Sequence, residues 1–180
     1  MEICSIKEKQ GNPILLQPHQ KMLCRQKLIF PYYLYWGMGS GKTFGACAIM
    51  QRCTNKTKVI VVCDKSIIKQ WKNEIERITS KNRDEYPPNI SIHIVHYELL
   101  CKDELEFSTY SLAIVDEAHR FRNICTNNSE RMNEWVRKIH ECKRVVFLSG
   151  TPIVHDIGEI EAFYKLMKYP SIPLNGRISY

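Results

Sequence analysis

Five short runs of β-branched and aromatic residues recur along this chain, with helix-patterned stretches between them. That alternation constrains the fold more than any other feature. The runs are YYLYW (32–36), KVIVVC (58–63), SIHIVHY (91–97), LAIVDE (112–117) and RVVFLSG (144–150). Most are continuously apolar rather than alternating, the pattern of strands covered on both faces. Between them, Ile67, Trp71, Ile75 and Ile78 fall on one helical face of SIIKQWKNEIERI. Met132, Trp135 or Val136, Ile139 and Cys142 do the same in SERMNEWVRKIHEC, and Ile157, Ile160, Phe163 or Tyr164 and Met167 form a third stripe after Pro152. All three stripes read as core packing. Strands alternating with helices specify an α/β fold, a parallel sheet with helices on both faces.

A chain of 180 residues that is 44% hydrophobic can build one such domain, residues 1–180, with a substantial core. The polar segment TSKNRDEYPPN (79–89), with Pro87 and Pro88, reads as a surface loop, and no internal repeat interrupts the pattern. The cysteines contain no C-x-x-C pair, and Cys47 and Cys63 lie inside apolar runs. They read as small buried hydrophobes in a reducing compartment. No apolar stretch approaches the ~20 residues that span a bilayer, and MEICSIKEKQ lacks the core of a signal peptide. The expectation is an intracellular protein, and its net charge of +7 permits a polyanionic partner.

The stretch YWGMGSGKTFGA (35–46) carries the first chemistry. A phosphate-binding loop needs glycines that let the backbone approach the phosphates, a helix N-terminus facing them and a lysine to reach the outer charges. Gly39 and Gly41, the strand-to-helix switch and Lys42 meet these needs, and Thr43 offers a hydroxyl to Mg²⁺. The strict loop pattern wants glycine where Trp36 stands. A second signal is LAIVDEAH, a hydrophobic strand ending in two acids. A carboxylate there can reach a metal held by a loop on a nearby strand, which makes Asp116 the metal candidate and Glu117 the candidate base for a water.

With these residues in hand, the chain resembles superfamily-two helicases, and more closely Swi/Snf-type double-stranded DNA translocases. DEAHRFRN (116–123) is similar to their motif II, the DEAH box, and FLSGTPIVHDIGEI (147–160) to motif III and the helix after it. SIIKQWKNEI (66–75) resembles motif Ia, HYELL (96–100) the motif Ib region, and LQPHQ (16–20) the glutamine motif that senses adenine. The ordered set extends from about Leu16 to Met167. MGSGKT (38–43) is then the loop core that such proteins keep without the earlier glycine, while Trp36 and Gly37 stand where relatives often carry an acidic pair. Large cytoplasmic DNA viruses encode relatives, and the lysine- and isoleucine-rich style would suit one.

The resemblance implies a RecA-like P-loop NTPase lobe that takes ATP and Mg²⁺ and acts on nucleic acid, chiefly duplex DNA. Gln20 would read adenine; Met38, Gly39, Ser40, Gly41, Lys42 and Thr43 would hold the phosphates; Thr43 and Asp116 would hold the metal. Glu117 would activate water, with Lys42 stabilising the transferred phosphoryl group. His119, Ser149 and Thr151 would link the nucleotide to the nucleic-acid face, and Lys65, Gln70 and Tyr97 would touch a phosphodiester strand. Plainer roles stay open beside these: Gln20 on a helix surface, His119 satisfying a loop, Lys65 and Lys69 on a solvated face, Trp71 as a core anchor. Family members pair two lobes, the second supplying arginines in a Q-x-x-G-R-x-x-R type motif. Only NGR (175–177) comes near it here. The expectation is an N-terminal lobe that hydrolyses ATP weakly alone. A DEAH-type RNA helicase lobe and a non-hydrolysing assembly module are the competing readings.

Overall fold

The computed structural model describes residues 16–52, 58–79, 90–101, 105–123, 130–151 and 157–168. The loop segment 80–89, Pro152 and the NGR stretch lie outside the described residues. Five strands form one wholly parallel sheet: β1 (Tyr32–Tyr35), β2 (Lys58–Cys63), β3 (Ser91–His96), β4 (Leu112–Val115) and β5 (Val145–Ser149), in the order β1-β5-β4-β2-β3. The helices are α1 (Pro18–Arg25), α2 (Lys42–Gln51), α3 (Ile68–Thr79), α4 (Glu130–Ile139) and α5 (Ile157–Leu166).

The uninterrupted apolar runs resolve into two faces once the strands are pleated. Val59, Val61 and Cys63 of β2, Leu112 and Ile114 of β4, and Val146 and Leu148 of β5 share one core with Leu23 of α1, the body of α2 and Trp71 of α3. Ile60, Val62, Ala113, Val115, Val145 and Phe147 point the other way, into a core closed by Val136 and Ile139 of α4 and Ala162 and Leu166 of α5. Each such fully buried aliphatic side chain contributes roughly 1.5–3 kcal/mol relative to exposure. Helix α2 has no polar face, and Phe44 through Met50 are all buried. It is wedged between the sheet, α1 and α3, as an all-apolar helix must be.

The strands end earlier than the apolar runs. Trp36, Tyr97, Asp116, Glu117 and Gly150 all leave the ladder at its C-terminal edge. The order of the sheet sets β5 between β1 and β4, so the chain leaving β5 lies between the glycine loop after β1 and the acid pair after β4. In open parallel sheets such an edge is where ligands bind.

Candidate functional site

Beyond β1 the backbone turns through Gly39 (φ 73°) and Gly41 (φ 81°), conformations that L side chains rarely adopt. Gly41 is the N-cap of α2 and no side chain caps the helix, so its first-turn N–H groups remain available to an anion. The Lys42 ammonium donates to the carbonyls of Trp36 (3.2 Å) and Gly37 (3.3 Å), parked across the loop it would serve. A Cβ on Gly150 would stand 2.7 Å from Lys42 Nζ, so the bare glycine after β5 leaves room for that ammonium.

Helix α1 clasps the loop from outside. The Gln20 amide donates to the Ser40 carbonyl at 3.4 Å and accepts from the Gln17 N–H at 2.9 Å, while His19 Nε2 lies 3.1 Å from the same Ser40 oxygen. The His19 ring meets the edge of Trp36 with centroids 4.5 Å apart. Trp36 in turn lies over Gly45, whose added Cβ would come 2.6 Å from the indole. The residue that departs from the strict loop pattern is therefore a packing piece, accommodated by a second glycine one turn into α2.

Across the cavity, Asp116 is only 6% exposed, yet donors reach both of its carboxylate oxygens. Glu117 N–H donates to Oδ1 and the Trp71 indole N–H to Oδ2, each at 2.9 Å. The Tyr97 hydroxyl donates to the Asp116 carbonyl, and Asp116 N–H donates to Val62 O at 2.8 Å. Burial raises the Asp116 pKa, the indole bond opposes that, and the Glu117 charge adds to it; the Lys42 charge pulls the other way.

Glu117 is held at φ 53°, a left-handed conformation uncommon outside glycine. Its carboxylate meets His119 Nδ1 at 3.0 Å, and that nitrogen lies 3.4 Å from Ser149 Oγ. Ser149 Oγ donates to Thr151 O at 2.7 Å and accepts from Thr151 N–H at 3.2 Å. The structure thus brings Glu117, His119, Ser149 and Thr151 together across the ends of β4 and β5, with His119 Nδ1 shared between the Glu117 carboxylate and the longer contact to Ser149 Oγ.

Between the two halves opens a cavity of about 660 Å³. Met38 to Thr43 (Ser40 apart), Gln20, Asp116 and Glu117 line it, as do Gln17 and, from α3, Gln70, Glu74 and Arg77. Uncapped backbone donors, a lysine, a threonine hydroxyl and a buried carboxylate fit a nucleotide phosphate chain with a hard divalent ion. Such an ion is ordinarily held by one or two carboxylates plus phosphate oxygens rather than by an all-protein cage. Among the described residues no group of three or more His, Cys, Asp or Glu could hold a metal by itself.

One sequence expectation is corrected. Tyr97 is 4% exposed, its ring packed near Phe121 and Trp135, so its side chain braces Asp116 and presents no surface to a phosphodiester strand. Gln70 is exposed and lines the cavity. Lys65 sits on an exposed turn and is not among the residues lining that cavity. Sequence reasoning also missed the polar row Gln70, Glu74 and Arg77 at i, i+4 and i+7, and it read Trp71 only as a core anchor. A buried indole ordinarily needs a hydrogen-bond acceptor, and that was the available signal for Trp71.

Comparison with known proteins agrees with this geometry. The family model described as the SNF2-related domain matches residues 34–172. The DNA repair and recombination protein RAD54B of Gallus gallus is 25% identical over 203 aligned positions, covering 91% of this chain and 21% of that protein. A putative ATP-dependent RNA helicase, R350, of Acanthamoeba polyphaga mimivirus is 26% identical over 181 positions, covering 79% and 22%. Among solved structures, the Sulfolobus solfataricus SWI2/SNF2 ATPase core in complex with dsDNA superposes with a TM-score of 0.68 at 21% identity, over 93% of this chain and 37% of that one. The bacteriophage T4 UvsW helicase gives 0.64 at 13%, over 91% and 61%. The chain thus spans about a fifth of the length of these curated relatives, and the structural neighbours establish the RecA-like helicase-lobe fold.

Proposed function

The chain belongs to the SNF2-related domain family, and from that premise we propose that it is the ATP-binding lobe of a motor that hydrolyses ATP to move on duplex DNA. One observation carries the reading: the uncapped N-terminus of α2 with Lys42 and the acid pair Asp116–Glu117 line a single cavity. Backbone N–H groups from Gly39 to Thr43 and the Lys42 ammonium would bind the phosphates. Thr43 and Asp116 would hold Mg²⁺, which supplies charge neutralisation between the phosphoryl oxygens. Glu117, 34% exposed and oriented by His119, would take the proton of the attacking water. The series through His119 and Ser149 to Thr151 would relay the state of the nucleotide to the segment after β5. Gln20 would read the adenine edge, its amide turning from Ser40 to the base.

A duplex partner is supported by the similarity to the dsDNA-bound Sulfolobus core and by the net charge of +7, which suits backbone contacts. A second RecA-like lobe would complete the cleft and supply arginines to the transferred phosphoryl group, an effect worth about 10³–10⁵ in rate. The lobe alone would turn over slowly, in a reducing intracellular compartment.

The test is ATP turnover by the chain with and without its second lobe, in the presence of duplex DNA, single-stranded DNA or RNA. Duplex-stimulated turnover that requires the second lobe is the expected result. Stimulation by RNA above duplex DNA would move the protein to the RNA-helicase reading, which the mimivirus relative favours. Nucleotide binding without turnover in every arm would leave an assembly module.

A further inference from the structure

Trp71 is 1% exposed, sits on the inner face of α3 and belongs to the core of its side of the sheet. Packing alone would satisfy its ring but would not dictate where its N–H points. That N–H points at Asp116 Oδ2, 2.9 Å away and 45 residues distant in sequence. The other carboxylate oxygen is taken by Glu117 N–H at 2.9 Å, and the backbone on either side is fixed by Tyr97 and Val62. A carboxylate has two torsional freedoms that matter for a metal, the rotation about Cβ–Cγ and the choice of rotamer at Cα–Cβ. One donor on each oxygen, one from α3 and one from the backbone turn after β4, restrains both. Each oxygen still keeps lone pairs toward the cavity.

We propose that Trp71 is a positioning residue for the metal carboxylate: its indole N–H orients Asp116 toward the metal position, and α3 serves the nucleotide site through this bond. The inference rests on the reading of Asp116 as the Mg²⁺ group. Partners that orient a metal ligand in this way are ordinarily worth about 10- to 100-fold in metal affinity.

The experiment replaces Trp71 in the full chain with 3-benzothienylalanine, which keeps the bicyclic shape and exchanges the N–H for sulfur. W71F serves as a genetically simpler companion and D116N as the control for the underlying reading. Binding of a fluorescent ATP analogue is measured in Mg²⁺ and in EDTA, and the ratio of the two affinities is the metal increment. In parallel, ¹⁵N-labelled indole resonances of the native chain and of D116N report whether the Trp71 N–H is bonded to the carboxylate. A merely structural tryptophan would change thermal stability and both affinities together, leaving the ratio unmoved.

The expected result is a metal increment reduced by about tenfold or more in the isosteric variant, with affinity in EDTA within about twofold of native. The Trp71 indole proton should shift upfield in D116N. An increment that stays within about threefold of native in the isosteric variant while D116N abolishes it overturns the proposal for Trp71. D116N that keeps the full increment overturns the reading of Asp116 instead. Should W71F fail to fold, the isosteric variant decides. Should the lobe bind nucleotide too weakly to measure, the same increment is read in a two-lobe form.

Discussion

The two ends of the nucleotide cavity are built on opposite plans. At the glycine loop, conformation does the work: two left-handed glycines, an uncapped helix end, an exposed Met38, and a lysine whose ammonium, among the described residues, is bonded to the loop's own carbonyls. At the acidic corner, side chains do the work. Trp71 from α3, Tyr97 from the end of β3 and Ser149 from the end of β5 converge, directly or through His119, on Asp116 and Glu117. The first-turn N–H groups of α2 are left for an anion, while Ser40 N–H and the Lys42 ammonium rest on the loop's own carbonyls until one arrives. The corner must hold a nearly buried carboxylate in its charged form, which is costly without donors already in place. A glycine-built anion cradle facing a pre-oriented acid pair is the arrangement that electrostatic catalysis of phosphoryl transfer calls for.

The largest effect is expected at Glu117. If the corner carries the chemistry and the loop the binding, E117Q in a two-lobe form should lose about 10²–10⁴ in turnover, while ATP affinity stays within a few-fold. Equal losses in both would mean that the two ends are not functionally separate. Single-turnover hydrolysis alongside equilibrium binding distinguishes these outcomes.

A smaller effect is expected on the loop side. Gly41 holds φ 81°, and a Cβ there would come 2.6 Å from Gln20 Nε2, the amide that ties α1 to Ser40. G41A therefore strains the backbone and pushes on the clasp together, at a cost of about 1–3 kcal/mol. Chemical denaturation should report that loss, and nucleotide affinity should fall with it. The Trp71 indole resonance should stay where it is, because the acidic corner has its own supports. Movement of that resonance would show the two ends to be one mechanical unit.

Much of this architecture was legible in the sequence, and the boundary follows the range of the interactions. All five strands appear where the β-branched runs predict them; the central β2, β4 and β5 are buried on both faces and must be apolar at nearly every position, while the edge strands β1 and β3 are only partly buried. The loop and the acid pair were legible because their chemistry requires particular residue types in a short span. The order β1-β5-β4-β2-β3 was not, since it depends on crossovers between distant segments. Tyr97 was misplaced for a related reason. Whether one amphipathic side chain faces the core or open solvent depends on the phase of its element against neighbours far away in the chain. His140 makes the same point: burial and the nearby Lys168 charge lower its pKa to about 4, and nothing in RKIHECK announces that.

The smallest predicted effect lies where the two plans meet. Gly150 follows β5 between the loop and the corner, and its position has no left-handed φ to demand glycine. What a Cβ would meet is the tip of Lys42, at 2.7 Å, with Met38 Cγ at 3.5 Å. Both are ends of flexible side chains that can move aside, so G150A should change unfolding stability by less than about 0.5 kcal/mol. The displaced ammonium, however, can no longer rest where it bridges the Trp36 and Gly37 carbonyls. Nucleotide affinity should therefore shift by a few-fold with almost no change in melting temperature, in contrast to G41A, where the two fall together. If G150A instead destabilised the fold as much as G41A, the glycine would be serving the backbone rather than the lysine, and the division between a conformational end and a bonded end would have to be redrawn around β5.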